Sequence, residues 1–127
     1  MSAVGPSAIV CFGDSITRGE SDAVHGGWAD RLKTRCIARY LEQGKSETCV
    51  FNLGIGGENT DSLRRRFSSE LAARLDADER LFVLLAYGAN DAALVAGSHV
   101  VPLERFLDNL RYCTAETLRF KGTPLLL

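Results

Sequence analysis

The chain is poor in several residues that mark particular functions. Its 127 residues include two histidines, His25 and His99, one tryptophan and one methionine. The four cysteines, Cys11, Cys36, Cys49 and Cys113, form no C-x-x-C pair, so neither a zinc knuckle nor a dithiol redox motif is spelled. Cys11 and Cys49 sit inside apolar runs and read as small buried hydrophobes; reduced thiols fit a cytoplasmic protein. No apolar run approaches the ~18 residues of a membrane span. The first residues lack the basic flank and apolar stretch of a signal peptide. Neither sign of charge is in excess: 15 Lys and Arg face 16 Asp and Glu, for a net charge of −1. Such a chain sets up no field that recruits nucleic acid or an anionic membrane. The run Arg64-Arg65-Arg66 has no aromatic residues interleaved with it and reads as the solvated face of a helix.

What is abundant is alternation of short apolar runs with helix-period segments. Residues 8–12 read as a strand. Over residues 28–41, Trp28, Leu32, Cys36 with Ile37, and Tyr40 with Leu41 fall on one helical face, and Gly44 follows as a stop. Residues 48–53 read as a second strand. Over residues 61–75, Leu63, Phe67, Leu71 and Leu75 form a narrow apolar stripe. Residues 80–86 are apolar almost throughout, as suits a central strand covered on both faces. Pro102 is placed for the first turn of a third helix, continued by Phe106, Leu107, Leu110, Cys113 and Leu118. Residues 125–127 open a fourth strand. A hydrophobic fraction of 46% and a charged fraction of 24% suit one globular domain with a real core, here residues 1–127. The alternation predicts an α/β fold, a parallel sheet with helices on both faces joined by right-handed crossovers.

In such folds ligands collect outside the C-terminal ends of the strands. Three loops leave those ends: GDSIT after the first strand, GIGGEN after the second and YGAND after the third. Ser15 alone would read as a turn or N-cap residue. A serine becomes a nucleophile when a base and oxyanion donors accompany it. GIGGEN brings Gly54, Gly56 and Gly57, which let backbone N–H groups approach a ligand. It is not a dinucleotide fingerprint, because Asn59 stands where G-x-G-x-x-G needs its last glycine. YGAND brings Asn90, a neutral donor suited to a developing negative charge, and Asp91. Each loop alone is explained by turn chemistry; three on successive strand ends are not.

GDSIT, NLGIGGENT and GAND resemble the first three sequence blocks of the SGNH/GDSL hydrolases, esterases and lipases on a flavodoxin-like three-layer α/β/α fold. GGWADRL and VPLERFLDNLR resemble the small-ester, lysophospholipase-like branch of that family, so the likeness runs nearly the length of the chain. The resemblance implies that Ser15 is the nucleophile of a small-acyl-ester hydrolase. Its oxyanion hole would comprise the N–H groups of Ser15 and Gly57 and the Asn90 side chain. Gly57 stands five positions after Asn52, as the family glycine does after its asparagine; Gly56 beside it stays open. Asp14 and Asp91 would be supporting residues that hold the loops. Neither a metal nor an organic cofactor is implied.

The family's last block, a D-x-x-H near the C-terminus after a fifth strand, supplies the base and its orienting acid. His25 and His99 read as surface-loop residues rather than as that block, and residue 127 falls within the fourth strand. The chain is therefore expected to be the N-terminal portion of a longer hydrolase, with a fifth strand and last helix missing. Leu125, Leu126 and Leu127 would then be an uncovered apolar edge able to self-associate. The alternatives are a catalytically inactive ester- or carbohydrate-binding domain on the same fold, and a second chain that supplies the base. A nucleotide- or phosphate-binding protein using GIGGEN is a weaker reading, since no Walker lysine follows the glycines.

Overall fold

A computed structural model describes residues 5–127. From the N-terminus the elements are β1 (Ser7–Gly13), α1 (Ser15–Arg18), α2 (Gly27–Gln43), β2 (Thr48–Gly54), α3 (Thr60–Ala72), β3 (Arg80–Ala86), α4 (Ala89–Ala92), β4 (Leu94–Val95), β5 (Ser98–His99), α5 (Leu103–Arg119) and β6 (Thr123–Leu126). Strands β2, β1, β3 and β6 form one parallel sheet in that order. This is a flavodoxin-like arrangement, in which the chain steps to one side of β1 and then to the other. In register, Gly13 stands opposite both Gly54 and Ala86. The first three strands therefore end at one level and launch their loops side by side.

Alternation along each strand divides the core. Ala8, Val10 and Phe12 of β1 and Leu81, Val83 and Leu85 of β3 pack with Leu63, Phe67 and Leu71 of α3 and with Cys113 of α5. On the opposite face, Cys11, Val50, Ile9 and Leu84 meet Trp28, Ala29, Leu32 and Cys36 of α2. The result is the expected three-layer α/β/α order.

Several expectations change in detail. The loop after YGAND contains α4 and the antiparallel β4–β5 hairpin. Pro102 is the N-cap of α5, one position before the helix, with an extended ψ of 149°. Strand β3 is fully covered on the α3–α5 side alone: Phe82 and Leu84 on the other side are half-buried, because α2 lies against β2. Ile37, Tyr40 and Leu41, read as part of the apolar face of α2, are exposed. Cys49 is half-buried rather than buried. The Arg64-Arg65-Arg66 run is not a uniform solvated face. Arg64 stacks on the Tyr112 ring, and Arg66 turns inward to ion-pair with Glu58. Strand β6 is the sheet edge, and Leu125, Leu126 and Leu127 are 45%, 61% and 66% exposed. Among the described residues no helix is long and apolar enough to cross a membrane.

Candidate active site

Strand β1 passes directly into α1 through Gly13 and Asp14. A Cβ on Gly13 would lie 1.9 Å from Thr17 Oγ1, so glycine is what lets the first helical turn close onto the strand end. Asp14, buried, caps the turn by accepting the Ile16 N–H at 2.9 Å. Ser15 is the first residue of α1 and half-buried. As a first-turn residue its N–H has no intrahelical acceptor.

The end of β2 is tied to this turn by Asn52. Its Nδ2 donates to Thr17 O at 3.0 Å and to Asp30 Oδ1 at 2.9 Å, and its Oδ1 accepts the Gly54 N–H at 3.1 Å. Ile55 N–H then donates to Gly13 O at 3.0 Å. A Cβ on Gly54 would sit 2.3 Å from the Arg18 backbone nitrogen, so the backbones of the two segments meet here with no room for a side chain. Gly56 is backed by the Glu20 carboxylate, whereas nothing lies within 4 Å of a Cβ placed on Gly57. Gly57 has φ +75°, in the left-handed region that favours glycine.

Asn90 lies in α4, directly after β3. Its Nδ2 donates to Glu58 O at 3.0 Å and stands 3.5 Å from Asp14 Oδ2. This side chain therefore bridges the second loop to the residue beside Ser15. Asp91 is buried and bonds the start of α3. Its Oδ1 accepts the Thr60 N–H at 2.9 Å and the Thr60 hydroxyl at 2.5 Å. Asn59 accepts the Ser62 N–H at 3.1 Å, so the two residues together cap α3. Ser15, Asp14 and Asn90 are thus gathered at one sheet edge, with Gly57 in the loop that carries Asn90's acceptor.

The model of the GDSL-like lipase/acylhydrolase family matches residues 11–126 of this sequence. The chain belongs to that family. A relative from Bacillus subtilis (strain 168), named uncharacterized lipoprotein YqeF, is 32% identical over 97% of this chain and 48% of its own length. Among solved structures, the SGNH-hydrolase family esterase AlinE4 superposes with a TM-score of 0.69 at 24% identity, over 98% of this chain and 60% of its own. A variant of Axe2, an acetyl xylan esterase from Geobacillus stearothermophilus, gives a TM-score of 0.71 at 22% identity, over 99% of this chain and 61% of its own. The likeness to the solved structures is one of fold. The chain spans about half the length of the curated relative and about 60% of those structures.

The family's base block has a look-alike here. Asp22-Ala23-Val24-His25 does spell D-x-x-H, a spacing easily passed over because it follows the first block instead of ending the chain. Its carboxylate is occupied otherwise. Asp22 Oδ1 accepts the N–H groups of Val24 and His25 at 3.1 and 2.9 Å, and Oδ2 accepts that of Gly27 at 3.2 Å. The His25 N–H, ahead of the other contacts, holds the Asp22 carboxyl below its usual range. The motif is a turn that delivers the chain into α2. His99 Nδ1 is 2.8 Å from Ala92 O in the exposed hairpin. Among the described residues no histidine ring is hydrogen-bonded to Ser15.

Motif reading in this GDSL family member passes over Glu58, Arg66 and Tyr87. Glu58 is buried within GIGGEN, Arg66 reaches it from α3, and Tyr87 closes on it from the end of β3. No local rule pairs residues eight apart across a loop and a helix start. The available signal was Arg66 standing next to Phe67 on the buried stripe, at a position an exposed face does not favour.

Proposed function

We propose that Ser15 is the nucleophile of a serine ester hydrolase acting on small acyl esters. Ser15 Oγ attacks the ester carbonyl carbon and loses its proton to a base. The carbonyl oxygen becomes an oxyanion held by the N–H groups of Ser15 and Gly57 and by Asn90 Nδ2. Collapse expels the alcohol, which takes up the proton from the base, and leaves an acyl-enzyme. Water then hydrolyses it with the same base. The reading assigns that base to a His–Asp pair supplied by sequence other than these 127 residues, in keeping with the share of the solved esterases that the chain spans. Without such a base, oxyanion stabilisation and binding alone sustain ~10³–10⁴ over water, far below an intact triad.

The observation that carries the reading is the junction at the sheet edge. Asn90 Nδ2 stands 3.5 Å from the carboxylate preceding Ser15 and 3.0 Å from the carbonyl following Gly57. A fluorophosphonate probe tests it, because a phosphonate bonds a serine nucleophile and loads the same oxyanion donors. Mass spectrometry is expected to find the adduct on Ser15, with imidazole added as a surrogate base, and to find none after Ser15→Ala. Hydrolysis of p-nitrophenyl acetate should show the same dependence on Ser15. A base-complete form of the protein with no Ser15-dependent reaction in either assay overturns the reading. It would favour the second one, an ester- or carbohydrate-binding domain that does not cleave, which has in its support that no histidine ring among the described residues is hydrogen-bonded to Ser15.

A further inference from the structure

One guanidinium touches the C-terminal ends of all three strands that bear the site. Arg66 donates from Nε to Glu58 Oε2 at 2.9 Å and from Nη2 to Glu58 Oε1 at 2.6 Å. The same Nη2 donates to Leu53 O, at the end of β2, at 2.7 Å, and lies 3.4 Å from the Tyr87 hydroxyl, just past β3. Its guanidinium carbon stands 5.2 Å from the centre of the Phe12 ring at the end of β1. Tyr87 donates to Glu58 Oε1 at 2.5 Å. The Glu58 side chain is 4% exposed and that of Arg66 17%.

A pair this dry is weak evidence for stability, since desolvation offsets much of its attraction. What a forked, bidentate pair provides is geometry. Glu58 follows Gly57 directly, and its carbonyl accepts the Asn90 amide. Holding its carboxylate with three donor atoms of Arg66 and Tyr87 therefore fixes the peptide between an N–H donor and the acceptor of a side-chain donor. Tyr87 is only three residues before Asn90, so the same carboxylate also anchors the base of the third loop. Burial first, and then the Glu58 carboxylate, push the Tyr87 hydroxyl well above its usual range, so it remains a protonated donor.

We propose that Glu58, Arg66 and Tyr87 form a positioning cluster that sets Gly57 and Asn90 in place relative to Ser15. The cluster touches no substrate atom and acts through the two donors, so its catalytic meaning rests on the ester-hydrolase reading. A donor displaced by about 1 Å can cost on the order of 10²-fold in rate, which gives the effect its scale.

Tyr87→Phe and Arg66→Lys test the idea in the 127-residue chain. Arg111→Gln, which breaks the exposed ion pair to Asp108 on α5, serves as the control. Amide NMR is expected to show the Asn90 side-chain NH2 and the Gly57 N–H shifted and exchanging faster in both variants, and unmoved in the control. Phosphonylation of Ser15 should slow by about tenfold or more in both variants at temperatures where they remain folded. Asn90 and Gly57 resonances left at their unmodified positions in either variant, with the cluster broken, overturn the proposal and reduce the cluster to a structural ion pair. An unmodified chain inert to the phosphonate would count against the hydrolase reading, while the resonance comparison still decides the positioning claim. Two independent variants, each monitored by spectral dispersion, guard against one failing to fold.

Discussion

Asn90 is the residue whose role is easiest to isolate, because its side chain bridges two loops, through Glu58 O and Asp14 Oδ2, and is not buried in the core. In a catalytically competent form, Asn90→Ala is expected to lower kcat by ~10²–10³ with little change in KM, as for loss of one oxyanion donor; steady-state kinetics on p-nitrophenyl butyrate measures it. Asp91, a neighbour in sequence, should behave differently. Asp91→Ala leaves the Thr60 N–H and hydroxyl without their acceptor, so it is expected to cost roughly 1–3 kcal/mol of stability in denaturant titration. The thiols offer a check on the core. Burial, the leading cause in each case, pushes Cys11 and Cys113 up to about 12. Iodoacetamide at mildly alkaline pH should therefore modify them only after unfolding. At this scale, Ser15 and Asn90 were legible because each directly follows an apolar strand in a motif. Glu58 and Arg66 were not, because what makes each important is the other, and nothing local joins them.

Among the elements, strands β1 to β3 and helices α2, α3 and α5 were readable from periodicity, with ends displaced by no more than three residues and those of β3 not at all. Thr60 begins α3 because Asn59 and Asp91 cap it, and the second of these caps comes from another loop. The short α1 and α4 fall in stretches whose sequence reads as loops, since four residues carry no periodicity. Strand β6 is where an element has consequences in solution. Leu126 joins Leu107, Leu110 and Leu118 of α5 around an open apolar groove of about 330 Å³, beside an edge strand with no neighbour on its outer side among the described residues. Such edges invite pairing with another chain. Sedimentation velocity of the 127-residue chain is expected to show concentration-dependent association that Leu126→Lys reduces; identical profiles for the two would rule out this edge as the contact.

At the scale of the molecule, α3 and α5 are joined by polar bridges over the core they share. Asp61 accepts from Arg105 Nε at 3.0 Å and from Asn109 Nδ2 at 2.8 Å. Burial alone would raise the Asp61 carboxyl, but these two donors outweigh it and hold it below its usual range. Glu116 accepts from Arg119 and, across the helices, from the Ser68 hydroxyl at 2.6 Å; Arg119 first and Ser68 second lower it from 4.5 to about 2. A carboxyl depressed on folding stabilises the native state above its unfolded pKa, and that contribution is lost as pH falls through the folded one. The melting temperature should therefore decline as pH drops from about 4.5 towards about 2, and Asp61→Asn should flatten part of that decline. The sequence by itself determined the layer order, since periods of two and of nearly four dictate which residues must be buried together. It also determined that three chemically suggestive loops leave strand ends. Only the tertiary structure decided that those ends are level, with Gly13 opposite Gly54 and Ala86. It alone revealed that one inward-turned arginine of a basic run spans them. Strand register and a buried ion pair are both set by contacts between residues distant in the chain, and no local pattern encodes a distance.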